Sequence, residues 1–521
     1  MVVALVLFSA CMVAMPAQEQ VGKAQAKPAT ACNVPGTSAL WADFVNATAK
    51  GNEPILPDFS YAGYQYSDKA IPTVTSPIFR VTTFGAVAND NGFDDAAIQS
   101  AIDAAKSAGG GVVLFPPGQF RVNATDDEKH FITISGSNIV LRGAGSGAGG
   151  SEILMVAKKQ GGAMFRVDPT SWVPSTVANI TANATRESFW VTVDSPARLR
   201  TGQRVVIRYQ NPEYNDFYYK GLPLDPDWER VVKNGVGIHE AHVIAEIAEN
   251  RVRFREPLHF TLKMGSTPHR LEAVTPLEQV GIEDLRFTGS WDTYPEVFVH
   301  HKDWIHDSAW TLLSIKQVAD GWVRRCEFRN FNTAINTDTA ISFTIEDVKF
   351  TGKKGHSSVG ARRGYGMLVK DCEDIAGTHH GPDVGYNAVG TVYLRHKMQP
   401  GQGLDNHGGV PHATLFDQIS GGAMYGSGGP IENYPHHGRY MTFWNFVHRA
   451  PIDRTYDFWD SVNRNSHTFA LPIFAGFTAN TVVTFQNEEN EVERNESFGK
   501  PVTPVSLFEA QLHLRRCRQG Y

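Results

Sequence analysis

The sequence contains no apolar run of the about 20 residues that a membrane-spanning helix needs. It also carries little excess charge, with a formal net charge of −6 at pH 7. A general nucleic-acid binder normally presents a basic surface, so that class is excluded and no nucleic-acid partner is expected. An anionic substrate would have to bind at a local basic patch, because the electrostatic field of the net negative charge does not attract it.

Cysteine is scarce: the chain has only Cys11, Cys32, Cys326, Cys372 and Cys517. So few cysteines in a chain of 521 residues do not make a disulfide scaffold. No CxxC pair indicates a zinc site, and the histidine pairs lack the HxxxH spacing on a helix. The sequence therefore predicts no metal site from cysteine or histidine motifs.

The first residues, "MVVALVLFSACMVAMPAQEQ", form a short apolar run that ends in small residues. This pattern predicts an export signal over residues 1–19, although the usual basic start is missing. "FSAC" resembles a bacterial lipoprotein box, which would place a lipid anchor on Cys11. Cleavage near Ala17 would instead release a soluble protein, and both alternatives stay open. In either case we expect an exported protein: periplasmic, attached to the outer membrane, or secreted.

Residues 20–75 are rich in Pro, Ala and Ser and predict an irregular N-terminal arm. Order begins in "IFRVTTFGAVANDNGFDDAAIQSAIDAAKSAGGGVVLFPPGQFRV", residues 78–122. Asp94 is a plausible N-cap for a helix whose apolar stripe is Ala97, Ile98, Ala101, Ile102 and Ala105. The glycines at 109–111 end that helix, and two strands follow.

This stretch closely resembles the first coils of right-handed parallel β-helix proteins of the pectate-lyase-like superfamily. The resemblance implies an all-β fold over residues 76–480, with an N-terminal capping helix. It leaves the reaction open, because proteins with the same fold include lyases, glycoside hydrolases and phage tailspikes.

The glycine-rich "RGAGSGAGG" at 142–150 is followed by a strand, so it does not predict a dinucleotide site.

Two segments depart from the coil pattern. Residues 165–275 alternate apolar and polar side chains, which predicts a β-rich insertion of half-buried antiparallel strands. Residues 481–521 end in "VTPVSLFEAQLHLRRC", which has a helical pattern with Ser506 as the N-cap. Because a solenoid must protect its open edges, this segment predicts a C-terminal cap.

An internal register can be tested after residue 280. The short strands align when five residues are taken as equivalent, with spacings of 22, 24, 23 and 23: Val323, Ile345, Val369, Val392 and Leu415. One coil per repeat predicts this regularity, with strands stacked about 4.8 Å apart. Cys326 and Cys372 then lie two coils apart in the interior, too far for a disulfide.

The same register places ionisable residues at nearly one angular position on successive coils. Counting back from each reference strand gives a strip of charged and titratable side chains: Lys316, Asp338, Arg362, Arg363, His380, Asp383, Asp405 and His407. Successive sugars of a linear polymer lying along this strip would contact the side chains of successive coils. For any single residue of this strip, the alternative to a role in substrate binding is a polar ladder that only stabilises the turns.

Arginine, lysine, histidine and tyrosine suit β-elimination on a uronic-acid polysaccharide, such as alginate or pectin. Arg362 or Arg363 would neutralise the sugar carboxylate, with help from Asn336. His380, His407 or Lys316 would take the C5 proton, and Tyr365 or a second histidine would protonate the leaving oxygen. Substrate contacts are assigned to a further set: Asn336, Asp338, Asp383, Asp405 and His412. Asp383 and Asp405 could orient the histidines or hold a calcium ion.

Glycoside hydrolysis by two carboxylates is the second hypothesis. "NTD" at 336–338 is similar to the first catalytic motif of the polygalacturonase family, and Asp338, Asp383 and Asp405 would be its carboxylates. The rest of that pattern is missing.

A non-catalytic carbohydrate-binding β-helix is the third hypothesis. "HHKDWIHDSAW" at 300–310 and "NYPHHGRYMTFWNF" at 433–446 add histidines and aromatic rings near the predicted groove. We expect a monomer.

Overall fold

A parallel β-helix forms the body of the protein. The computed structural model describes Cys32 and residues 34–124, 131–159, 162–169, 171–422, 424, 428–460 and 467–520. The predicted export signal and Cys11 lie outside these residues. Seven helices accompany the strands in the described part: α1 (Ala39–Lys50), α2 (Asp95–Ser107), α3 (Asn215–Tyr219), α4 (Glu229–Asn234), α5 (Trp304–Ser308), α6 (Glu488–Glu491) and α7 (Leu507–Gln519). Shorter 3₁₀ turns are found at Phe59–Tyr61, Tyr64–Ser67, Val81–Phe84, Pro212–Tyr214, Trp291–Thr293 and Ile431–Asn433.

Three parallel sheets build the coils. Sheet A has twelve strands: Ile78–Arg80, Gly111–Leu114, Ile139–Arg142, Gly281–Glu283, Trp322–Arg324, Thr344–Glu346, Leu368–Lys370, Val392–Leu394, Leu415–Asp417, Thr442–Trp444, Ile473–Ala475 and Arg494–Glu496. Sheet B has six strands: Gly118–Val122, Ser151–Met155, Arg286–Gly289, Glu327–Arg329, Lys349–Thr351 and Glu373–Asp374. Sheet C has seven strands: Ile132–Ile134, Ala163–Val167, Thr311–Lys316, Thr333–Asp338, Ser357–Arg362, His380–Gly385 and Gly403–Asn406. Three parallel pairs complete the coils: Leu277–Glu278 with Val318–Ala319, Val447–His448 with Thr478–Ala479, and Arg454–Tyr456 with Val483–Phe485.

Helix α2 begins after Asp94, as predicted, and buries Ile98, Ala101, Ile102 and Ala105. The Asp94 carboxylate does not cap the helix; it accepts hydrogen bonds from the backbone N–H groups of Val87 and Arg121. The carboxylate therefore ties the helix to the first coils, and the helix itself packs on the core of sheets A and C.

The antiparallel insertion lies inside the predicted range 165–275. Its six-stranded sheet consists of Ser175–Ile180, Trp190–Thr192, Arg204–Gln210, Gly237–Ala248, Arg251–Phe254 and His269–Ala273. Its buried face packs on one corner of the β-helix, against a column that includes Ala319, Ile341, Tyr365 and Val389. The insertion thereby forms a wall beside the ends of the sheet C strands.

The arm at 20–75 is not irregular throughout, since α1 follows Ser38, whose side chain accepts a hydrogen bond from the Trp41 N–H. Helix α1 and α7 together cover the outer face of sheet A, where they bury Val392, Leu415 and Trp444. Helix α7 begins after Ser506 as predicted, but it lies along the side of the β-helix and not over its end. Sheet A itself extends to Glu496, beyond the predicted limit of 480.

A disulfide joins Cys32 to Cys517, with the two Cα atoms 5.5 Å apart. The sequence did not predict this bridge, because 485 residues separate its ends and no local pattern pairs them. The bridge fastens the arm to α7 on the outer face of sheet A. Cys326 and Cys372 are buried and unbridged, as expected for small core residues.

The register of sheet A is partly as predicted. Val323 pairs with Ile345 and Ile345 with Val369, but Val369 pairs with Tyr393 and Tyr393 with Phe416. The predicted Val392 and Leu415 are wrong by one residue. Both faces of these strands are apolar because α1 and α7 cover the outer one, so hydrophobicity could not tell which residue points inward.

Candidate functional site

Two columns of outward-pointing side chains cross sheet C. In the first column Lys316 pairs with Asp338 and Asp338 with Arg362. In the second column Asn336 pairs with Gly360, Gly360 with Asp383, and Asp383 with Asp405. The residues between the columns, among them Ile315, Thr337 and Ala361, are buried in the interior. Because side chains alternate along a strand, both columns face outward, which places the predicted strip on one face.

His407 continues the first column. A Cβ placed on Gly385, which pairs with Arg362, would lie 3.1 Å from the His407 Cβ, so the two positions are neighbours. The sequence-predicted Lys316, Asp338, Arg362 and His407 therefore lie in register, next to the second column. The counting that placed them succeeded because these coils differ little in length.

A compact polar centre forms where the two columns meet. Arg362 donates from Nε and Nη2 to Asp383 Oδ2, at 3.0 and 2.9 Å. His407 Nδ1 lies 3.0 Å from Asp405 Oδ2, and His380 Nδ1 lies 3.3 Å from the same oxygen. Asp383 and Asp405 are each only 1% exposed, and among the described residues nothing donates a hydrogen bond to their Oδ1 atoms. We call these five residues the sheet C centre.

The electrostatics of the centre follow from burial and pairing. Burial raises the pKa of Asp383, and the nearby Asp405 charge adds to this, although Arg362 opposes both. For His407, burial favours the neutral ring, but the hydrogen bond and charge of Asp405 outweigh it and raise the pKa. The Asp383 charge raises the pKa of Arg362 despite its burial. For His380, burial and the neighbouring histidines lower the pKa to about 2.

Further side chains flank the centre at the ends of the sheet C strands. The Tyr386 ring lies 5.1 Å from the Arg363 guanidinium carbon, 5.7 Å from that of Arg362, and 6.0 Å from the centre of the His407 ring. Arg363 donates to Asp338 Oδ2 at 2.7 Å. From the insertion, Arg230 donates to Asn387 Oδ1 at 2.7 Å. Guanidinium groups therefore surround an aromatic face beside His407.

The starts of the same strands are flanked by the segment from Trp291 to Trp310, which contains α5. Its His300 Nε2 lies 3.1 Å from His380 Nε2. The Trp291 indole N–H donates to the Lys354 carbonyl at 2.8 Å, which anchors the segment to the coils. The outer face of sheet C is thus a groove between this segment and the insertion, and we call it the sheet C groove.

Gly428 packs closely against the sheet C centre. A Cβ on Gly428 would be 2.7 Å from His407 Nδ1 and 2.8 Å from Asp405 Oδ1. Real Cβ atoms do not approach polar atoms so closely, so a side chain at position 428 would displace His407 or Asp405. The backbone at Gly428 therefore lies close against these two residues.

Tyr365 and His412 do not lie in the groove with the other predicted residues. They occupy the corner column beneath the insertion and are 2% and 1% exposed. His412 Nδ1 lies 2.8 Å from the Tyr218 hydroxyl and Nε2 lies 2.9 Å from the His259 carbonyl oxygen. Burial raises the pKa of Tyr365 and lowers that of His412. Sequence counting missed this because the insertion covers a surface that would otherwise be exposed.

A second cleft lies between the insertion and the arm, with a volume of about 500 Å³, and His412 forms part of its floor. Its cations already have carboxylate partners: Arg186 contacts Glu53 and Glu187, and Arg439 contacts Glu493. An anionic ligand would have to displace these ion pairs. Arg362 and Arg363 in the sheet C groove are also paired, with Asp383 and Asp338, but their side chains are 31% and 46% exposed. The side chains of Arg186 and Arg439 are only 2% and 9% exposed, so the sheet C groove is the better candidate.

Sequence reasoning missed Tyr386, Arg230 and His356 as residues of this region. Tyr386 could have been found, because it follows the strand of Asp383 in the same glycine-rich stretch. Arg230 comes from the insertion and His356 from a turn whose length varies, so no spacing in the sequence connects them to the strip.

The chain matches two family models. Residues 78–205 match "Rhamnogalacturonase A/epimerase, pectate lyase-like", and residues 377–519 match a domain of unknown function, DUF4955. The second match includes His380, Asp383, Asp405 and His407.

Two curated relatives from Azotobacter vinelandii are similar over a short stretch. Mannuronan C5-epimerase AlgE6 and alginate lyase 7 are each 44% identical to this chain over 69 residues, which is 13% of this chain. The chain thus covers only 8% of the length of either relative.

Solved structures resemble the chain over most of its length at low identity. The tailspike protein gp49 from Pseudomonas phage LKA1 has a TM-score of 0.44 and 13% identity over 80% of each chain. The AlgE6 A-module from Azotobacter vinelandii has a TM-score of 0.42 and 14% identity, over 80% of this chain and 95% of that one. The three parallel sheets show that this chain is a parallel β-helix, and the family match at 78–205 agrees with the pectate-lyase-like resemblance found in residues 78–122.

Proposed function

We propose that this protein cleaves a uronate-containing polysaccharide by β-elimination in the sheet C groove. The observation that carries the proposal is the meeting of Arg362, Tyr386 and His407 beside two buried carboxylates on successive coils. One coil advances about 4.8 Å, so side chains on successive coils can contact successive parts of a polymer that runs along the helix axis.

Neutralising the sugar carboxylate is the first requirement, because the C5 proton is weakly acidic while that carboxylate carries its full charge. Arg362 uses Nε and Nη2 for Asp383, which leaves Nη1 to donate to a substrate carboxylate. Arg363 and Lys316 extend the positive charge along the same face. Cations fixed in position before the reaction stabilise the negative charge that develops on the enolate.

Two proton transfers complete the reaction. His407, held by Asp405, takes the C5 proton; the electron pair forms the C4–C5 double bond, and the bond from C4 to the bridging oxygen breaks. The Tyr386 hydroxyl returns a proton to that oxygen. Tyr386 replaces Tyr365 in this role, because Tyr365 is buried under the insertion.

Hydrolysis is less well supported by the same geometry. One oxygen of Asp383, one oxygen of Asp405 and a ring nitrogen of His407 all lie within 4.8 Å of one another. Inverting glycosidases hold their carboxylates about 6.5–9.5 Å apart and retaining glycosidases about 5–5.5 Å apart. Both carboxylates are buried and engaged, one by Arg362 and the other by two histidines. Asp338 is more exposed but is paired with Arg363.

A calcium ion at Asp383 and Asp405 stays a prediction. Calcium takes six to eight oxygen ligands. The described side chains around these two carboxylates are mainly nitrogen donors, and Arg362 already occupies Asp383. The mechanism above uses no step that needs such an ion.

Export is supported by the Cys32–Cys517 disulfide, because such bridges persist in oxidising compartments. Among the described residues no helix has the length and apolar character to cross a membrane. The lipid anchor at Cys11 stays a prediction.

The activity test is incubation of the full chain with alginate, pectate, glucuronan and ulvan. We expect the ultraviolet absorbance of an unsaturated uronate to rise on one of these polymers, together with new reducing ends. New reducing ends without that absorbance would overturn elimination in favour of hydrolysis. Exchange of the C5 proton with solvent deuterium and no chain cleavage would indicate epimerisation, which begins with the same proton removal. Binding with none of these signals would indicate a non-catalytic protein.

A further inference from the structure

Five histidine rings gather at the start of the sheet C strands, next to the sheet C centre. They come from three separate segments: His300 and His301 from the segment before α5, His356 from one turn, and His379 and His380 from the start of the strand His380–Gly385. Neighbouring ring centres lie between 3.7 and 5.9 Å apart. Nothing in the elimination mechanism requires this cluster.

We propose that His300, His379 and His380, with His356 as a fourth ligand, bind one divalent transition-metal ion of the zinc type. The first three offer ring nitrogens that all lie within 4.8 Å of one another. His300 Nε2 and His380 Nε2 are 3.1 Å apart. Two nitrogens bound to one tetrahedral zinc ion, each about 2.0–2.1 Å from the metal, would be separated by about 3.3 Å.

The outer nitrogen of one of these rings is held as metal-binding histidines require. His356 Nδ1 lies 2.7 Å from the Asp307 carbonyl oxygen, which favours a proton on Nδ1 and leaves the Nε2 lone pair for a metal. His380 Nδ1 lies 3.3 Å from Asp405 Oδ2 but makes no hydrogen bond with a described residue. His356 Nε2 is buried and has no hydrogen-bond partner among the described residues, so it is a ligand atom without a competing contact.

The surroundings also suit a metal ion. Phe298 packs against the rings of His356 and His379, which keeps water from that side. Imidazole ligands favour zinc, copper and nickel over calcium or magnesium.

The consequence of binding would be structural. His300 belongs to the segment that forms one wall of the groove, whereas His356, His379 and His380 belong to the coils. An ion shared by them would fasten that wall to the β-helix. The proposal does not depend on elimination chemistry, since it concerns only metal uptake.

The test is titration of chelator-treated full-length protein with Co²⁺, followed by visible absorption, and competition with Zn²⁺. We expect one ion per chain, an absorption spectrum of tetrahedral nitrogen coordination, and a higher midpoint of thermal unfolding with the metal. His300→Ala and His379→Ala should each abolish this spectrum. His513→Ala, which removes an exposed histidine on α7, should leave it unchanged.

A further variant separates the two polar clusters. Asp383→Asn alters the sheet C centre but none of the proposed ligands, so it should retain Co²⁺ uptake. Lack of uptake by the parent protein would overturn the proposal. Uptake that survives His300→Ala and His379→Ala, in variants with the parent circular dichroism, would also overturn it. Because His300 lies on a half-exposed segment, its variant is expected to fold.

Discussion

Replacing His407 with alanine is expected to lower kcat on the cleaved polymer by about 10²–10⁴-fold, the usual contribution of a positioned proton-transfer group. KM should change little, because Arg362 and Arg363 still bind the sugar carboxylates. The substitution removes a side chain that is 21% exposed and creates no large cavity, so the fold should persist. Initial rates of unsaturated-product formation over a range of substrate concentrations separate the two parameters.

His513→Ala is the matched control, since it deletes an exposed histidine from α7, on the outer face of sheet A. It should leave both kcat and KM at the parent values. A His407→Ala variant with parent kcat would remove His407 from the mechanism. An equal loss in the His513 control would mean that the effect comes from stability and not from chemistry.

His242→Phe is expected to destabilise the insertion by about 3–5 kcal/mol, the usual cost of breaking a buried ionic group by removing one partner. His242 Nε2 lies 2.9 Å from Glu240 Oε2, and Nδ1 lies 3.1 Å from Glu256 Oε1. All three side chains are fully buried, so the variant would leave two carboxylates without their shared cation.

The same group predicts a pH dependence of stability. Burial favours neutral His242, but hydrogen bonds and charges from Glu240 and Glu256 raise its pKa to about 9, above the unfolded value of about 6.5. The stabilisation is therefore fully present below pH 6.5 and is lost as the pH rises from 6.5 through 9. The expected loss is about 3 kcal/mol over that window.

Unfolding midpoints in urea between pH 6 and pH 9.5 measure this loss. His437→Phe is the control, because His437 is fully buried and its pKa is lowered to about 4, so it carries no charge in this range. The control should keep the parent slope above pH 6.5, whereas His242→Phe should flatten it. A His242→Phe variant with an unchanged slope would contradict the assignment of the pH dependence to this histidine.

The fold could be predicted because its signals are local and repeated. The stretch 78–122 encodes a helix and two strands in order, and coils of similar length allowed Lys316, Asp338 and Arg362 to be aligned by counting. The register failed only at Val392 and Leu415, where a covering layer from distant parts of the chain makes both strand faces apolar.

The site was harder to predict because several of its parts meet only in three dimensions. Tyr365 and His412 occur at the right spacing, but the insertion buries them. The histidine cluster escapes motif reasoning because His300 and His380 are far apart in sequence and lie on a loop and a strand, not on one helix. The Cys32–Cys517 bridge escapes it for the same reason.

Amide hydrogen exchange of His407→Ala, with and without an oligomer of the cleaved uronate, tests most directly whether the sheet C groove is the substrate site. The slowed variant should hold the oligomer uncleaved. Our account predicts oligomer-dependent protection of the strands Thr333–Asp338, Ser357–Arg362 and His380–Gly385 and of the segment around Tyr386. Protection confined to the cleft formed by Arg186, Tyr218 and Arg439, with sheet C unchanged, would contradict it.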